Sequence, residues 1–315
     1  MRVLVTGGAG FIGSHLSEAL LRRGDHLAVV DDLNDFYPPA MKRANLEAIR
    51  RSGDFRFFEG DIRDEAFIDR VIQDFRPDAT VHLAARAGVR PSLSQPLLYE
   101  HVNVGGTIVL LEAFRRAGIN KFVLASSSSV YGAGNSVPFR ETELNLLPVS
   151  PYAATKLAAE KICYTYSLLY GLKVICLRFF TVYGPRQRPD LAIRKFAESM
   201  LAGNRIPFYG NGQSARDYTY VADTVEGILA ALEYETHYEI FNLGNSQPVK
   251  LVDLVAILEG VLGVKALLDP WPDQPGDVPN TYADIGKAAR ELGYTPQTTI
   301  REGTKMMVDW IRSTR

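Results

Sequence analysis

Tyr152 and Lys156 stand four residues apart in a stretch of helical periodicity, a spacing that puts both on one helix face. An ammonium beside a phenol stabilises the phenolate and lowers its pKa from about 10. Such a phenolate could take a proton from a substrate hydroxyl near neutral pH. Ser127 follows the apolar run Lys121–Ala125, where its hydroxyl could bridge a substrate and Tyr152. A bare Tyr-x-x-x-Lys occurs often by chance as a helix-surface pair, so its meaning rests on the elements that position it.

The first of these elements is Val3-Leu4-Val5-Thr6-Gly7-Gly8-Ala9-Gly10-Phe11-Ile12-Gly13. A β-branched run stops at glycines and a helix-period pattern follows, which predicts a buried parallel strand, a tight turn and a helix N-terminus. Free N–H groups and the positive dipole end there favour phosphate. Gly8, Gly10 and Gly13 fit G-x-G-x-x-G, and Gly7, Gly10 and Gly13 fit G-x-x-G-x-x-G. A second apolar run, Leu27–Val30, ends in Asp31, placed to accept hydrogen bonds from an adenosine ribose and to repel a 2′-phosphate. The reading is NAD rather than NADP, and the nicotinamide cation would lower the phenol pKa further.

Further strands are expected at Phe55–Phe58, Thr80–Leu83, Lys121–Ala125 and Lys173–Phe180. Helices are expected over 11–23, 40–51, 65–75, 101–117 and 150–170, with Gly24, Gly118 and Gly171 as stops. This alternation predicts an α/β fold with a doubly wound parallel sheet. Ala84-Ala85 would let a flat cofactor approach the strand end, and Asp61 could meet an adenine amine. After Tyr183 the pattern becomes irregular, with helices near 192–202, 223–233, 249–262, 284–292 and 300–311 and one strand at 238–243. Residues 269–279 are too proline-rich for a helix or central strand.

With 315 residues, 46% hydrophobic and 23% charged, the chain has ample core, and a net charge of −1 argues against a nucleic-acid surface. Cys163 and Cys176 show no metal or redox spacing. No apolar stretch approaches a membrane span and no charged leader is seen, so no membrane association and a cytoplasmic location are expected.

Thr6–Gly13, Asp31, Ser126-Ser127-Ser128-Ser129-Val130-Tyr131-Gly132 and Tyr152-Ala153-Ala154-Thr155-Lys156 together resemble the extended short-chain dehydrogenase/reductases, the nucleotide-sugar epimerases, dehydratases and decarboxylases. The resemblance covers nearly the whole chain. It implies a Rossmann domain over 1–181, with segments returning near 217–243, and a smaller irregular α/β lobe, mainly 182–315, that binds the nucleotide sugar. It implies a catalytic set of Ser127, Tyr152 and Lys156, and tightly held NAD. Matched by motif, cofactor contacts would be Gly7, Gly10, Phe11, Ile12, Gly13, Asp31, Asn34, Asp61, Ile62, Leu83, Ala84, Asn103, Tyr152, Lys156 and Phe180. A homodimer built on the helices at 101–117 and 150–170 is also implied.

Dehydratases of this family usually carry Asp-Glu before Val-Tyr-Gly, and decarboxylases a Glu. Here the pair is Ser128-Ser129, which leaves epimerisation at C4. Three proline-bearing stretches, 87–93, 183–190 and 274–278, the first two with arginines, together with 32–37, resemble the UDP-glucuronate 4-epimerases. A uronate carboxylate needs a cation or several donors. Arg188 is the first candidate and Arg90 the second, with Ser128, Ser129 and Thr181 as donors. Arg216, Asp217 and Asp277 match positions that hold the UDP diphosphate and ribose, and Thr281 matches a gate on substrate size. A 4-epimerase for neutral UDP-hexoses or UDP-N-acetylhexosamines fits all but the arginine motifs. A decarboxylase and a non-catalytic NAD-binding regulator are weaker alternatives.

Overall fold

The computed structural model describes residues 1–272, 278 and 280–314. Asp277 and the rest of the 274–278 motif except Val278 lie outside the described residues.

The first part of the chain alternates strand and helix. In order it forms β1 (Arg2–Thr6), α1 (Phe11–Arg23), β2 (His26–Asp31), α2 (Pro39–Ser52), β3 (Arg56–Glu59), α3 (Glu65–Phe75) and β4 (Ala79–His82). Two short helices follow, α4 (Val89–Ser94) and α5 (Pro96–Glu100), then a π turn over His101–Gly105 and α6 (Gly106–Ala117). The segment closes with β5 (Lys121–Ser127), α7 (Pro151–Tyr170) and β6 (Lys173–Phe179). The remainder comprises β7 (Thr181–Tyr183), α8 (Ala192–Leu201), β8 (Arg205–Tyr209), β9 (Ala215–Tyr220), α9 (Val221–Glu233), β10 (Tyr238–Leu243), β11 (Pro248–Lys250), α10 (Leu251–Leu262), β12 (Leu267–Trp271), β13 (Asn280–Thr281), α11 (Gly286–Leu292) and α12 (Ile300–Ser313).

Seven strands form one parallel sheet in the order β10-β6-β5-β4-β1-β2-β3. The strands alternate faces, as a sheet covered on both sides requires. Val3, Val5, Val29 and Val123 point into one apolar layer, whereas Leu4, Ala28, Val30, Phe122 and Leu124 point into the other. The order reverses between β1 and β4, which opens a crevice at the carboxyl ends of these two strands.

The expected helix at 101–117 begins with the π turn, a wider coil that admits Asn103 as an inward-facing buried residue. Beyond Tyr183 the structure adds five strands that local pattern did not reveal. They are short, and β8 pairs only with β12 while β9 gathers β7, β11 and β13. Pro270 is accommodated because β12 is an edge strand. Ser150 caps α7 by accepting from the Ala153 amide, and Pro151 sets the first turn. That cap fixes where Tyr152 leaves the helix. Among the described residues no helix is long and apolar enough to cross a membrane.

Candidate active site

α1 starts behind Gly10, which brings no side-chain cap, so the first N–H groups of the helix are left for a ligand. A Cβ on Gly7 (φ +71°) would lie 2.6 Å from the Ala84 amide nitrogen, and one on Gly13 would lie 2.3 Å from the Gly7 carbonyl. Turn, helix and β4 end therefore meet backbone to backbone. The cleft above them encloses about 1140 Å³, its mouth included. Gly7, Gly10, Phe11, Ile12, Gly13, Asp31, Asn34, Asp61, Ile62, Leu83 and Ala84 line it, with Tyr152 and Lys156 at the far end.

Asp31, at the tip of β2, is buried and accepts from the Ala9 and Leu33 amides at 3.1 and 3.0 Å. Burial lifts its carboxyl above the usual range against the pull of Lys42, whose ammonium is 3.9 Å away. A diol donating into this carboxylate would relieve that cost, so the donors present fit a ribose. Lys42 went unnoticed in the sequence because it sits at an ordinary helix position; only the fold brings it to Asp31. Two expected contacts are not among the residues lining the cleft. Phe180 packs with Val130, Tyr131, Phe139 and Ala283, and its neighbour Phe179 lines the cleft. Asn103 is consumed in holding backbone and helix together. Its side chain accepts from the Arg86 amide at 2.8 Å and donates to the Arg86 carbonyl and Thr155 hydroxyl, both at 3.0 Å.

Tyr152 is packed edge-on against Tyr99, with ring centroids 6.2 Å apart. Burial raises its phenol above the ordinary value, while the Ser127 hydroxyl and then the Arg188 guanidinium pull it back. Arg188 therefore also bears on the phenol, a cation that the four-residue spacing to Lys156 did not reveal. Lys156 instead donates to the Ala125 carbonyl at 2.8 Å, and burial pushes its ammonium down to about 8. Ser127 caps the turn after β5 by accepting from the Ser129 amide at 3.2 Å.

A second recess adjoins the first. Ser128, Ser129, Thr181, Arg216 and Thr281 line it, with Val89 and Ala153. Arg216 and Thr281 are brought together by the β9–β13 register. Asp217 takes no part: it is fully buried and accepts from the Asn245, Ser246 and Ala283 amides, a structural role that the motif did not reveal. Arg188 is not grouped with the serines. It lies in the cofactor cleft, 5.2 Å from the Phe36 ring centroid, and both its fork nitrogens bond Asp190 at 3.0 and 2.9 Å. Its segment is strapped to α1. Arg186, at φ +64°, forks onto Glu18 at 2.9 Å twice, and His15 meets the Pro185 carbonyl at 2.9 Å. Arg90 is exposed and lies over the Tyr209 ring at 5.0 Å.

Beneath the cleft runs a directional hydrogen-bond chain. Thr107 donates to the Asn103 carbonyl at 2.6 Å, so at the 3.1 Å contact with His82 Nε2 the ring nitrogen must donate. Nδ1 is then an acceptor and takes the Thr6 hydroxyl at 2.7 Å, and Thr6 accepts from the Ala84 amide at 3.3 Å. Both ring nitrogens are thus engaged, and a second ring proton would force the Thr6 hydroxyl to turn away. Burial, and secondarily Lys156, pushes His82 down to about 3. An unfolded histidine binds its proton near pH 6.5 and the folded one does not, so stability falls as pH drops from 6.5 toward 3. The full effect is on the order of 3–5 kcal/mol. In urea titrations across that range, His82→Gln, which keeps a donor and an acceptor without titrating, is expected to flatten the acid slope. Parallel slopes would refute this account.

The chain matches the GDP-mannose 4,6 dehydratase family model over residues 4–307. It is 44% identical over 326 residues to UDP-glucuronate 4-epimerase 3 of Arabidopsis thaliana, covering 98% of this chain and 76% of that one. A crystal structure of UDP-glucuronic acid 4-epimerase from Bacillus cereus, in complex with UDP-glucuronic acid and NAD, superposes with a TM-score of 0.93 at 36% identity, covering 100% of both chains. UDP-glucose 4-epimerase of Thermotoga maritima, with UDP-glucose, gives 0.92 at 35% identity over 100% of this chain and 99% of that one. With its glycine turn, its Ser127–Tyr152–Lys156 constellation and these relatives, the chain belongs to the GDP-mannose 4,6 dehydratase family of nucleotide-sugar short-chain dehydrogenase/reductases.

Proposed function

We propose that this protein is an NAD-dependent 4-epimerase interconverting UDP-glucuronate and UDP-galacturonate. The observation that carries the reading is the lining of the second recess. Among the described residues its lining holds hydroxyls and one arginine, with Ser128 and Ser129 standing where the dehydratases of the family carry the acids of their elimination chemistry. What it adjoins is a single phenol with a hydroxyl and a cation beside it, the minimum for taking a proton from O4.

NAD, when bound, would supply the hydride acceptor for C4 and a positive charge. The residues named above at the glycine turn, with Asp31, Asn34, Asp61, Ile62, Leu83 and Ala84, would hold it. Tyr152 takes the O4 proton as C4 is oxidised, Ser127 bridges O4 and the phenol, and Lys156 contributes charge and holds the Ala125 carbonyl. The 4-keto sugar turns over, and Tyr152 returns the proton when C4 is reduced on its other face. Ser128, Ser129 and Thr181 donate to the sugar and its carboxylate, Arg216 and Asp277 hold the UDP portion, and Arg188 and Arg90 supply cations.

One observation favours a neutral UDP-hexose as a second reading: the Arg188 fork is already bonded by Asp190, and a neutral sugar would ask nothing of it. Proton NMR of the mixture after incubation with UDP-glucuronate and NAD separates the two. UDP-galacturonate approaching one ratio from either side is the expected result. Turnover of UDP-glucose alone would keep the mechanism and remove the carboxylate role, and a pentose product would mean decarboxylation.

The same reading makes the protein a cytoplasmic homodimer. Two free, buried cysteines suit a reducing compartment. Tyr164 and Leu168, 48% and 69% exposed, lie one turn apart on α7, and Ile108 of α6 is 36% exposed. Each leucine-sized group covered is worth about 1.5–3 kcal/mol. Leu168→Glu is expected to give a monomer by sedimentation velocity where the parent protein sediments as a dimer; a dimeric variant would move the interface elsewhere.

A further inference from the structure

Behind the catalytic helix face lies a buried charge pair that the proposed chemistry does not use. Glu160, one turn beyond Lys156 on α7, meets Arg178 of β6 through two parallel bonds, at 2.9 and 2.8 Å. Their side chains are 0% and 1% exposed. Ser126 of β5, directly across from Arg178 in the sheet register, donates to the same carboxylate at 2.5 Å. Arg178 also lies over the Tyr131 ring, 4.7 Å from its centroid.

A buried ion pair is expensive, and apolar residues of similar volume usually serve stability as well or better. Its placement here is specific. One carboxylate ties α7, β5 and β6 together at the level of Ser126, between Ala125, which receives Lys156, and Ser127. The geometry points to Glu160, locked by Arg178, as a positioning residue for the Ser127–Tyr152–Lys156 set, fixing the end of β5 against α7 and keeping the Lys156 ammonium charged. This rests on the epimerase reading only for its effect on rate.

The electrostatic surroundings of Lys156 support the assignment. Burial lowers its pKa, and Glu160, then Cys163, opposes that. On its own helix Tyr152 lines the cleft, and burial holds that phenol above its ordinary value. From β4, His82 is neutral by the bonding argument above and sets no charge against Lys156. From β6, Arg178 is spent on Glu160, and Cys176 beside Cys163 is driven up by burial and stays a thiol. From β10, Tyr238 donates to the Glu160 carbonyl, and burial raises its phenol too. Arg188 lowers the Tyr152 phenol. Glu160 is therefore the one carboxylate among these neighbours.

The test is the titration of Lys156 in holoenzyme labelled with ¹³Cε-lysine, its resonance assigned by loss in Lys156→Met, alongside the pH profile of turnover. Glu160→Gln strands the Arg178 charge and risks misfolding, so Glu160→Gln/Arg178→Met, which removes both charges, accompanies it. In Glu160→Gln the midpoint is expected to fall by about one pH unit from about 8, and in the double variant, which loses the Arg178 cation too, to fall by a smaller but measurable amount. The alkaline limb of activity should move down with it, costing roughly threefold in rate at about pH 7.5. A folded double variant with an unmoved Lys156 midpoint would overturn the proposal, whatever its rate, because a merely structural pair would lower turnover without moving the titration. The resonance reads without any sugar, so an absence of epimerase activity in the parent protein would count against the proposed function and leave this test intact.

Discussion

Tyr152→Phe is expected to lower the turnover of UDP-glucuronate by about 10²–10⁴ while leaving NAD bound. The substitution removes one oxygen and nothing else. The ring keeps its edge-on contact with Tyr99, and the hydrogen-bond partner it loses among the described residues is Ser127. The glycine turn, Asp31 and the Ala84 backbone are untouched, so the cofactor absorbance carried through gel filtration should equal that of the parent protein. The loss should appear in kcat, since O4 proton transfer belongs to the reaction and not to binding. A variant within tenfold of the parent rate would place the base elsewhere.

Arg188→Ala is expected to raise KM for UDP-glucuronate by roughly 10- to 100-fold, the loss of one charge-assisted interaction of about 1.5–3 kcal/mol. It should leave KM for UDP-glucose within about threefold, because a neutral sugar offers no carboxylate for the guanidinium. The structure sharpens this. Arg188 is held by Asp190 and Phe36, and its segment is strapped to α1 through Arg186 and Glu18. It must therefore share or exchange its fork when a uronate arrives. A 4-keto uronate is a β-keto acid, so a loosely held carboxylate is open to loss of carbon dioxide, and a pentose by-product in the variant would report that freedom. An unchanged KM for the uronate would remove Arg188 from the carboxylate site.

The Rossmann half was legible because each of its signals is local. β-branched runs close at glycines, Ser150-Pro151 announces α7, and Asp31 ends β2. The cofactor cleft followed, since a glycine turn dictates what stands around it. What stayed hidden depends on partners distant in sequence. The π turn exists because Asn103 must reach both Arg86 and Thr155. β8 and β12 are strands only by virtue of each other, some sixty residues apart. Asp217 looked like a ligand because it follows Arg216, yet three amides from two other segments bury it. Arg188 and the serines were grouped by chemistry, and the fold assigns them to adjoining recesses. Charge and residue type were readable; which carboxylate would claim which guanidinium was not.

The seventh strand of the main sheet, β10, comes from residues 238–243 and pairs in register with β6. On the ribosome, β1 to β6 emerge long before their outer neighbour exists. Until residue 243 clears the exit tunnel, β6 is a bare edge of Val174, Cys176 and Leu177, which are buried in the finished protein. Such an edge is a template for aggregation. A fragment ending after β6 would therefore be insoluble even though it carries the whole glycine turn and the Tyr152 helix. The main sheet is completed only by residues 238–243, so a single cut after β6 divides it.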